Sequence, residues 1–241
     1  MEIKTYVTVI IEEAGPVYKT PAERGYISDQ SILKQMELLN EAYEPAGFYF
    51  SLQRTVNMMQ PSWFSNETIL NVTRRESLQT LVHQGKYSDL NLVFMKDLLL
   101  EKGVLGQTQL PRPTYDDDGG FYTDGPIMLS HAAPEIVNGQ WTTGKTVIHE
   151  VGHWFGLGHP DKDECRKQNY RCCVSGKPLF EVEEPRKAWS NYMFPWMTSK
   201  NQTFTRGQVD YMRREYVRLR LPEVHIKNQR FDHLMAKLPA P

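Results

Sequence analysis

The chain has no long hydrophobic run, little cysteine and no excess of charge of either sign. Its most apolar stretches, such as residues 6–11 and 98–100, are far shorter than the ~20 residues that cross a bilayer. The 28 basic and 29 acidic side chains leave a net charge of −1, which gives no electrostatic footprint for nucleic acid or an anionic membrane surface. Three cysteines allow at most one intrachain disulfide, too few for a disulfide-rich scaffold. These absences leave a globular domain with no membrane span and no nucleic-acid partner.

The length of 241 residues is enough for one large domain with a proper core. We expect a single domain over residues 1–241, divided into an N-terminal lobe of residues 1–159, a C-terminal lobe of residues 160–220 and a polar tail of residues 221–241. The first residues lead straight into an alternating strand and do not resemble a signal peptide. Any secretion signal or propeptide is therefore expected to be absent from this chain.

Strand and helix patterns alternate up to residue 159. Period-two alternation and short apolar runs predict strands at residues 3–11, 48–56, 90–95, 104–110 and 127–130. Helical periodicity predicts two long helices, at residues 28–43 and 66–84, and a third at residues 143–155. Residues 160–205 show no clear period, and a last helix is predicted at residues 206–219. The fold class is therefore α/β (α+β): a mixed twisted sheet with helices, then an irregular lobe that ends in a helix.

The segment 149–159 carries the strongest chemical signal, because it reads His-Glu-x-x-His-x-x-Gly-x-x-His. His149 and His153 are one helical turn apart and project from the same face, so both imidazoles can reach one Zn²⁺ ion. Gly156 can adopt the positive φ that ends the helix, which returns His159 as a third ligand. Three protein ligands leave the fourth zinc position open, and that is the pattern of a catalytic site.

Glu150 lies beside the predicted metal position without being a ligand, which is where a general base acts on water. A bare His-Glu-x-x-His occurs by chance in unrelated helices, but the glycine and the third histidine at fixed offsets remove most such accidents. The other four histidines are expected to lie on the surface, since three ligands and a water complete the site: His83, His131, His225 and His233.

The chain resembles the pappalysin family of metzincin metallopeptidases, and it looks closest to the secreted fungal branch. The histidine motif is specific to metzincins. The flanking segments that resemble pappalysins are residues 89–92, 96–98, 105–106, 144–146, 190–193 and 204–208. The likeness extends over residues 3–220.

This resemblance implies a secreted zinc endopeptidase that cleaves peptides or proteins in a cleft between two lobes. It also implies that Met193 lies beneath the three zinc histidines as the apolar floor of a Met-turn. The edge strand at residues 105–110 could pair with an extended substrate, and the alternative is a sheet edge with no binding role.

The sequence departs from the family at several positions. Pro195 stands where relatives commonly carry a tyrosine that leans on the metal or the reacting carbonyl. The family's calcium segment is matched only at Val182, Glu184 and Pro185, which weakens the expectation of a calcium ion. Thr108 and Pro126 stand where relatives often have a cysteine pair. Cys165 does match a family position, and its disulfide partner would be Cys172 or Cys173.

Three glycosylation sequons, at Asn66, Asn71 and Asn201, also favour secretion. Two rival functions stand beside the endopeptidase. One is a metzincin-fold protein that holds zinc and acts as a binding module, and the other is a narrow aminopeptidase or deacylase on a different zinc-helix fold. An intact Glu150 argues against the first, and the spacing of the third histidine argues against the second. The sequence does not indicate an oligomeric state or a particular substrate.

Overall fold

The protein is described by a computed structural model that covers residues 1–12, 20–60, 72–96, 104–112, 122–142, 144–159, 173–174, 177–178, 190–194 and 202–221. The side chains of residues 72–74, 173–174 and 177–178 are outside this description. Within these ranges, no helix has the length and apolar character needed to cross a membrane.

The described part of the chain contains nine strands and four α-helices. The strands are β1 (Glu2–Ile11), β2 (Tyr49–Met59), β3 (Leu90–Met95), β4 (Gly106–Gln107), β5 (Ile127–Leu129), β6 (Ile136–Val137), β7 (Gln140–Trp141), β8 (Cys173–Val174) and β9 (Lys177–Pro178). The helices are α1 (Asp29–Tyr43), α2 (Val72–Val82), α3 (Lys145–Trp154) and α4 (Arg206–Glu215). A π-helical turn, Tyr216–Arg220, extends α4.

The main sheet has five strands in the order β2-β1-β3-β5-β4. The first four are mutually parallel, and only β4 runs antiparallel to its neighbour β5. Every residue of β3 is buried, as expected for a parallel strand that is covered on both faces. The mixed sheet with its helices confirms the predicted fold class.

Alternate residues of the central strands enter two different cores, one on each face of the sheet. Leu90, Leu92 and Phe94 of β3 belong to the main core, together with buried residues of α1 and α3. Val93 and Met95 face the other way and belong to a smaller core with residues of α2. The period of two in the strand therefore places α3 on the face opposite α2.

The first long helix begins where the sequence predicted it. Ser28 is the N-cap of α1, and its side chain accepts a hydrogen bond from the backbone N–H of Ser31. Ile32, Met36 and Leu39 form the buried stripe that packs on the sheet. The second long helix is described from Val72 to Val82, and the predicted residues 66–71 lie outside the described part.

The edge strand β4 is shorter than predicted, since it covers only Gly106 and Gln107 and not residues 104–110. The register explains the end of the strand. Gly106 pairs with Met128 and Gln107 with Ile127, so the next pairing would join Thr108 to Pro126. That pairing would need a hydrogen bond to the Gly125 carbonyl, but Gly125 has φ 107° and its carbonyl accepts from the Gln79 side chain at 3.0 Å, so the ladder stops there.

Two further features differ from the prediction. Strands β6 and β7 form a hairpin that was not predicted from the sequence, with Asn138 at φ 52° and Gly139 at φ 75° in its turn. His83 is not a fully exposed surface residue, because it is half-buried with both ring nitrogens covered, and its ring meets Tyr122 edge-on at 5.6 Å between centroids. Burial lowers the pKa of His83. His131 is exposed as expected.

Candidate active site

Helix α3 carries the histidine motif and is buried against the sheet and α1. The Tyr43 hydroxyl, at the end of α1, donates to the Ile148 carbonyl oxygen of α3 at 2.9 Å. Val147 and Val151 have no exposed surface, so the inner face of the helix is fixed by packing. The first two motif histidines are therefore presented on a rigid element.

The chain turns sharply after α3, as the glycine in the motif predicted. Gly156 has φ 95°, a left-handed conformation that favours glycine. The N–H of Gly156 donates to the His153 carbonyl at 2.7 Å, and that of Leu157 to the Gly152 carbonyl at 3.0 Å. These bonds satisfy the last carbonyls of the helix and send the chain back toward its own face, where His159 follows.

The three histidines point their Nε2 atoms at one another. The Nε2 atoms of His149 and His153 are 3.1 Å apart, and that of His159 is 3.2 Å from each. Among the described residues, these three form the only group of at least three potential metal-ligating side chains close enough to share one ion. The sequence prediction placed these residues together, and the structure brings them together.

The hydrogen bonds of the other ring nitrogens determine the tautomers of His149 and His153. Nδ1 of His149 donates to the Tyr192 carbonyl oxygen at 2.8 Å, and Nδ1 of His153 donates to the Leu157 carbonyl oxygen at 2.7 Å. Since a carbonyl oxygen only accepts, each of these Nδ1 atoms carries a proton and each Nε2 keeps its lone pair in the neutral ring. Burial lowers the pKa of His149 to about 4 and that of His153 well below its ordinary value.

This donor set fits a zinc ion. Tetrahedral zinc with Zn–N distances of about 2.0–2.1 Å separates its nitrogen ligands by about 3.3–3.4 Å. The observed spacings of 3.1–3.2 Å between Nε2 atoms are close to that value. Neutral imidazoles with their second nitrogen bonded to a carbonyl are also the form in which histidine binds metals.

Glu150 lies beside this triad and contacts the edge strand β4 and the residue that follows it. Its Oε2 atom accepts a hydrogen bond of 2.8 Å from the Thr108 hydroxyl. Gly106 leaves room for it, because a Cβ atom there would stand 2.9 Å from Glu150 Cγ. Burial raises the pKa of Glu150 to about 7, and the Thr108 hydrogen bond acts in the opposite direction. No pattern in the sequence indicates the contact between Thr108 and Glu150.

Met193 lies under α3. It is fully buried, and a Cβ atom at Gly152 of the helix would overlap its sulfur atom. The backbone N–H of Met193 donates to Asn191 Oδ1 at 2.9 Å. Asn191 and Gln208 exchange two side-chain hydrogen bonds, of 2.8 and 3.0 Å, which tie this segment to the start of α4.

Several predicted features lie outside the described residues. They are the cysteine side chains at 165, 172 and 173, Pro195, the calcium segment at Val182, Glu184 and Pro185, the sequons at Asn66, Asn71 and Asn201, His225, His233 and the tail of residues 222–241. The predictions made for them stay predictions.

Comparison with curated proteins identifies the family. The chain is 33% identical over 220 residues to extracellular metalloprotease 1 of Coccidioides posadasii, which covers 86% of this chain and 74% of that protein. It belongs to the extracellular metalloprotease family. A second relative, the extracellular metalloprotease of Pyricularia oryzae, is 33% identical over 170 residues, which span 70% of this chain and 54% of that protein. No family model matches the chain.

Solved structures agree with the fold. Mirolysin in complex with compound 9 superposes with a TM-score of 0.59 at 21% identity, covering 88% of this chain and 90% of that one. Mature mirolysin of Tannerella forsythia in complex with a cleaved peptide gives a TM-score of 0.56 at 20% identity, covering 92% and 98%. The resemblance to pappalysin-type metzincins is confirmed, and the protein is a metalloprotease. The rival binding-module function is not favoured.

Proposed function

We propose that the protein is a secreted endopeptidase in which His149, His153 and His159 hold one catalytic zinc ion and Glu150 is the general base. The observation that carries the proposal is the convergence of three histidine Nε2 atoms, 3.1–3.2 Å apart, next to a buried glutamate. The relatives named extracellular metalloproteases support secretion and a peptide substrate.

The zinc ion and the residues of the protein would contribute different parts of the reaction. When bound, zinc makes a water molecule acidic near neutral pH and polarises the scissile carbonyl as a Lewis acid. Glu150 takes the proton of the attacking water and delivers it to the leaving amine. The Tyr192 and Leu157 carbonyl oxygens keep His149 and His153 in the tautomer that presents Nε2.

The substrate would bind along β4. This strand is at the edge of the five-stranded sheet, and within the described residues no strand pairs with its outer side. An extended peptide could add to it through main-chain hydrogen bonds, which select for an extended conformation whatever the sequence of the peptide. Buried Met193 would serve as the apolar floor below the histidines.

The decisive experiment combines metal analysis with turnover of a denatured protein such as casein. The wild type and Glu150→Gln should each contain about one zinc per chain, while Glu150→Gln should lose about a thousandfold in kcat, because proton transfer is removed from the transition state. His159→Ala should lose its zinc.

The matched control is His131→Ala, which removes an exposed histidine away from the triad. It should keep both zinc and turnover. Turnover by Glu150→Gln close to that of the wild type would refute the role of general base, and full zinc occupancy in His159→Ala would refute the ligand set.

A further inference from the structure

Two residues of the edge segment contact Glu150 together. Gly106 and Thr108 are two positions apart along an extended chain, so they face the same side. Gly106 admits the Glu150 side chain, since a Cβ there would stand 2.9 Å from Cγ, and Thr108 donates to Oε2 at 2.8 Å. Gln107, between them, faces away and its side chain accepts from Arg75 on α2 at 2.9 Å.

This contact selects one orientation of the carboxylate. A glutamate side chain has three rotatable bonds, and a carboxylate can accept at either oxygen. The Thr108 hydroxyl must be the donor if Glu150 is ionised, because the carboxylate then only accepts. The bond occupies Oε2, and within the described part of the chain Oε1 has no hydrogen-bond partner. Oε1 is therefore the oxygen left to handle a proton.

The position of Thr108 is itself fixed by the end of β4. Pairing with β5 stops after Gln107, because the next pairing would need the Gly125 carbonyl, which accepts from the Gln79 side chain. Thr108 therefore follows directly after a paired residue but is not itself paired with β5. Its hydroxyl reaches α3 across 42 residues of sequence.

We propose that Thr108 is a positioning residue of the proteolytic reaction, which holds Glu150 by Oε2 so that Oε1 faces the water to be deprotonated. The inference rests on the proposed role of Glu150 as general base. It requires the hydroxyl of Thr108 and not its methyl group. In this role Thr108 acts through Glu150 alone.

The test compares four single variants and one double variant in the zinc-loaded enzyme. Thr108→Val removes the hydroxyl and keeps the shape, and Thr108→Ser keeps the hydroxyl. Thr80→Val makes the same chemical change in α2, where the hydroxyl only donates to the Glu76 carbonyl. Glu150→Gln and the double variant Thr108→Val/Glu150→Gln complete the set. Each is measured for kcat and KM on a quenched fluorescent peptide, with zinc content determined in parallel.

Thr108→Val should lower kcat by about ten- to a hundredfold, the range for one hydrogen bond to a charged group, with KM and zinc content unchanged. Thr108→Ser should stay within about threefold of the wild type, and Thr80→Val should match the wild type. Thr108→Val should have no further effect in the Glu150→Gln background, because a residue that acts through Glu150 has nothing left to position.

Crystal structures of zinc-loaded wild type and Thr108→Val provide a readout besides activity. Glu150 should occupy one conformer in the wild type and a changed or split conformer in the variant. The proposal is overturned if Glu150 stays in place and kcat is kept, if Thr108→Ser falls as far as Thr108→Val, or if the loss persists in the Glu150→Gln background. A wild type that cuts no peptide would refute the proposed function instead, while the crystal structures would still decide whether Thr108 orients Glu150.

Discussion

The two sides of the histidine-bearing helix α3 are held in different ways. On the sheet side, backbone ladders from β1 through β5 position β4 against Glu150. On the other side, residues 190–194 pair with the rest of the described chain through one isolated bridge, from Asn191 to Thr203. There the side-chain amides of Asn191 and Gln208 supply the hydrogen bonds that a neighbouring strand supplies on the sheet side.

This difference predicts different responses to mutation. In a β-sheet, the backbone hydrogen bonds between strands remain when a neighbouring side chain is removed by mutation. In the amide network, each side chain satisfies several buried groups at once, and removing one leaves its partners without hydrogen bonds in a region of low dielectric. We therefore expect the stability of the segment around Met193 to depend on a few side chains. The sheet side should have no equivalent of these side chains.

The largest effect on stability should come from Arg220, which joins the two sides. Its guanidinium pairs with Asp124 at 2.8 and 3.1 Å, donates to the Trp154 carbonyl at the end of α3 at 2.7 Å, and stacks on the Trp154 ring. Arg220→Met leaves the Asp124 carboxylate buried without its cation. The free energy of unfolding should fall by about 3–5 kcal/mol, measured by urea denaturation.

Arg218→Met is the matched control, since Arg218 is exposed and its partner Glu215 keeps a second cation, Arg214, at 3.3 Å. Its effect should stay below about 1 kcal/mol. Asp124→Asn added to Arg220→Met should recover part of the loss, because the uncompensated charge is gone while the acceptor for Trp154 Nε1 remains. An equal loss in Arg218→Met and Arg220→Met would contradict this account.

The same contrast explains what could be predicted from the sequence. The triad follows from spacing within one helix and one turn, so His149, His153 and His159 were found without any long-range information. The core-facing residues of α1 and β3 follow from periods of 3.6 and 2. Each of these signals is local in the chain.

The features that were missed depend on contacts between distant segments. The hydrogen bond from Thr108 to Glu150 joins residues 42 apart, and that between Asn191 and Gln208 joins residues 17 apart. Neither leaves a periodic pattern. The predicted length of β4 was wrong for the same reason, because the end of the strand depends on the conformation of Gly125, just before the partner strand. The hairpin of β6 and β7 could have been predicted, since the dipeptide Asn138-Gly139 is a known turn signal.

The second largest effect is expected at Asn191. Asn191→Ala removes the acceptor of the Met193 N–H and both hydrogen bonds with Gln208. The free energy of unfolding should fall by about 2–3 kcal/mol, because buried polar groups lose their hydrogen-bond partners. The double variant with Gln208→Ala should cost less than the sum of the two single changes, by about 1 kcal/mol, because both remove the same pair of bonds.

Strict additivity in that cycle would show that Asn191 and Gln208 act independently, and the comparison of the two sides would lose its basis. Gln79→Ala gives a matched reference on the sheet side. Its buried amide donates to the Gly125 carbonyl at 3.0 Å, and no other side-chain amide of the described residues bonds to it. Its loss should be additive with that of Asn191→Ala.

The smallest effect compares two helix caps, one on each side of α3. Ser28 caps α1 by accepting from the Ser31 N–H, and Thr205 caps α4 by accepting from the Gln208 N–H. Replacing either residue by alanine should lower the free energy of unfolding by about 1 kcal/mol, measured by urea denaturation.

The cap of α4 is also linked to the segment of Met193. The Gln208 side chain accepts from the Thr205 N–H, which completes a capping box, and the same side chain binds Asn191. Thr205→Ala should therefore lose part of its effect in the Asn191→Ala background, while Ser28→Ala should cost the same with or without Asn191. Identical behaviour of the two caps in that background would mean that the capping box of α4 is not coupled to the segment of Met193.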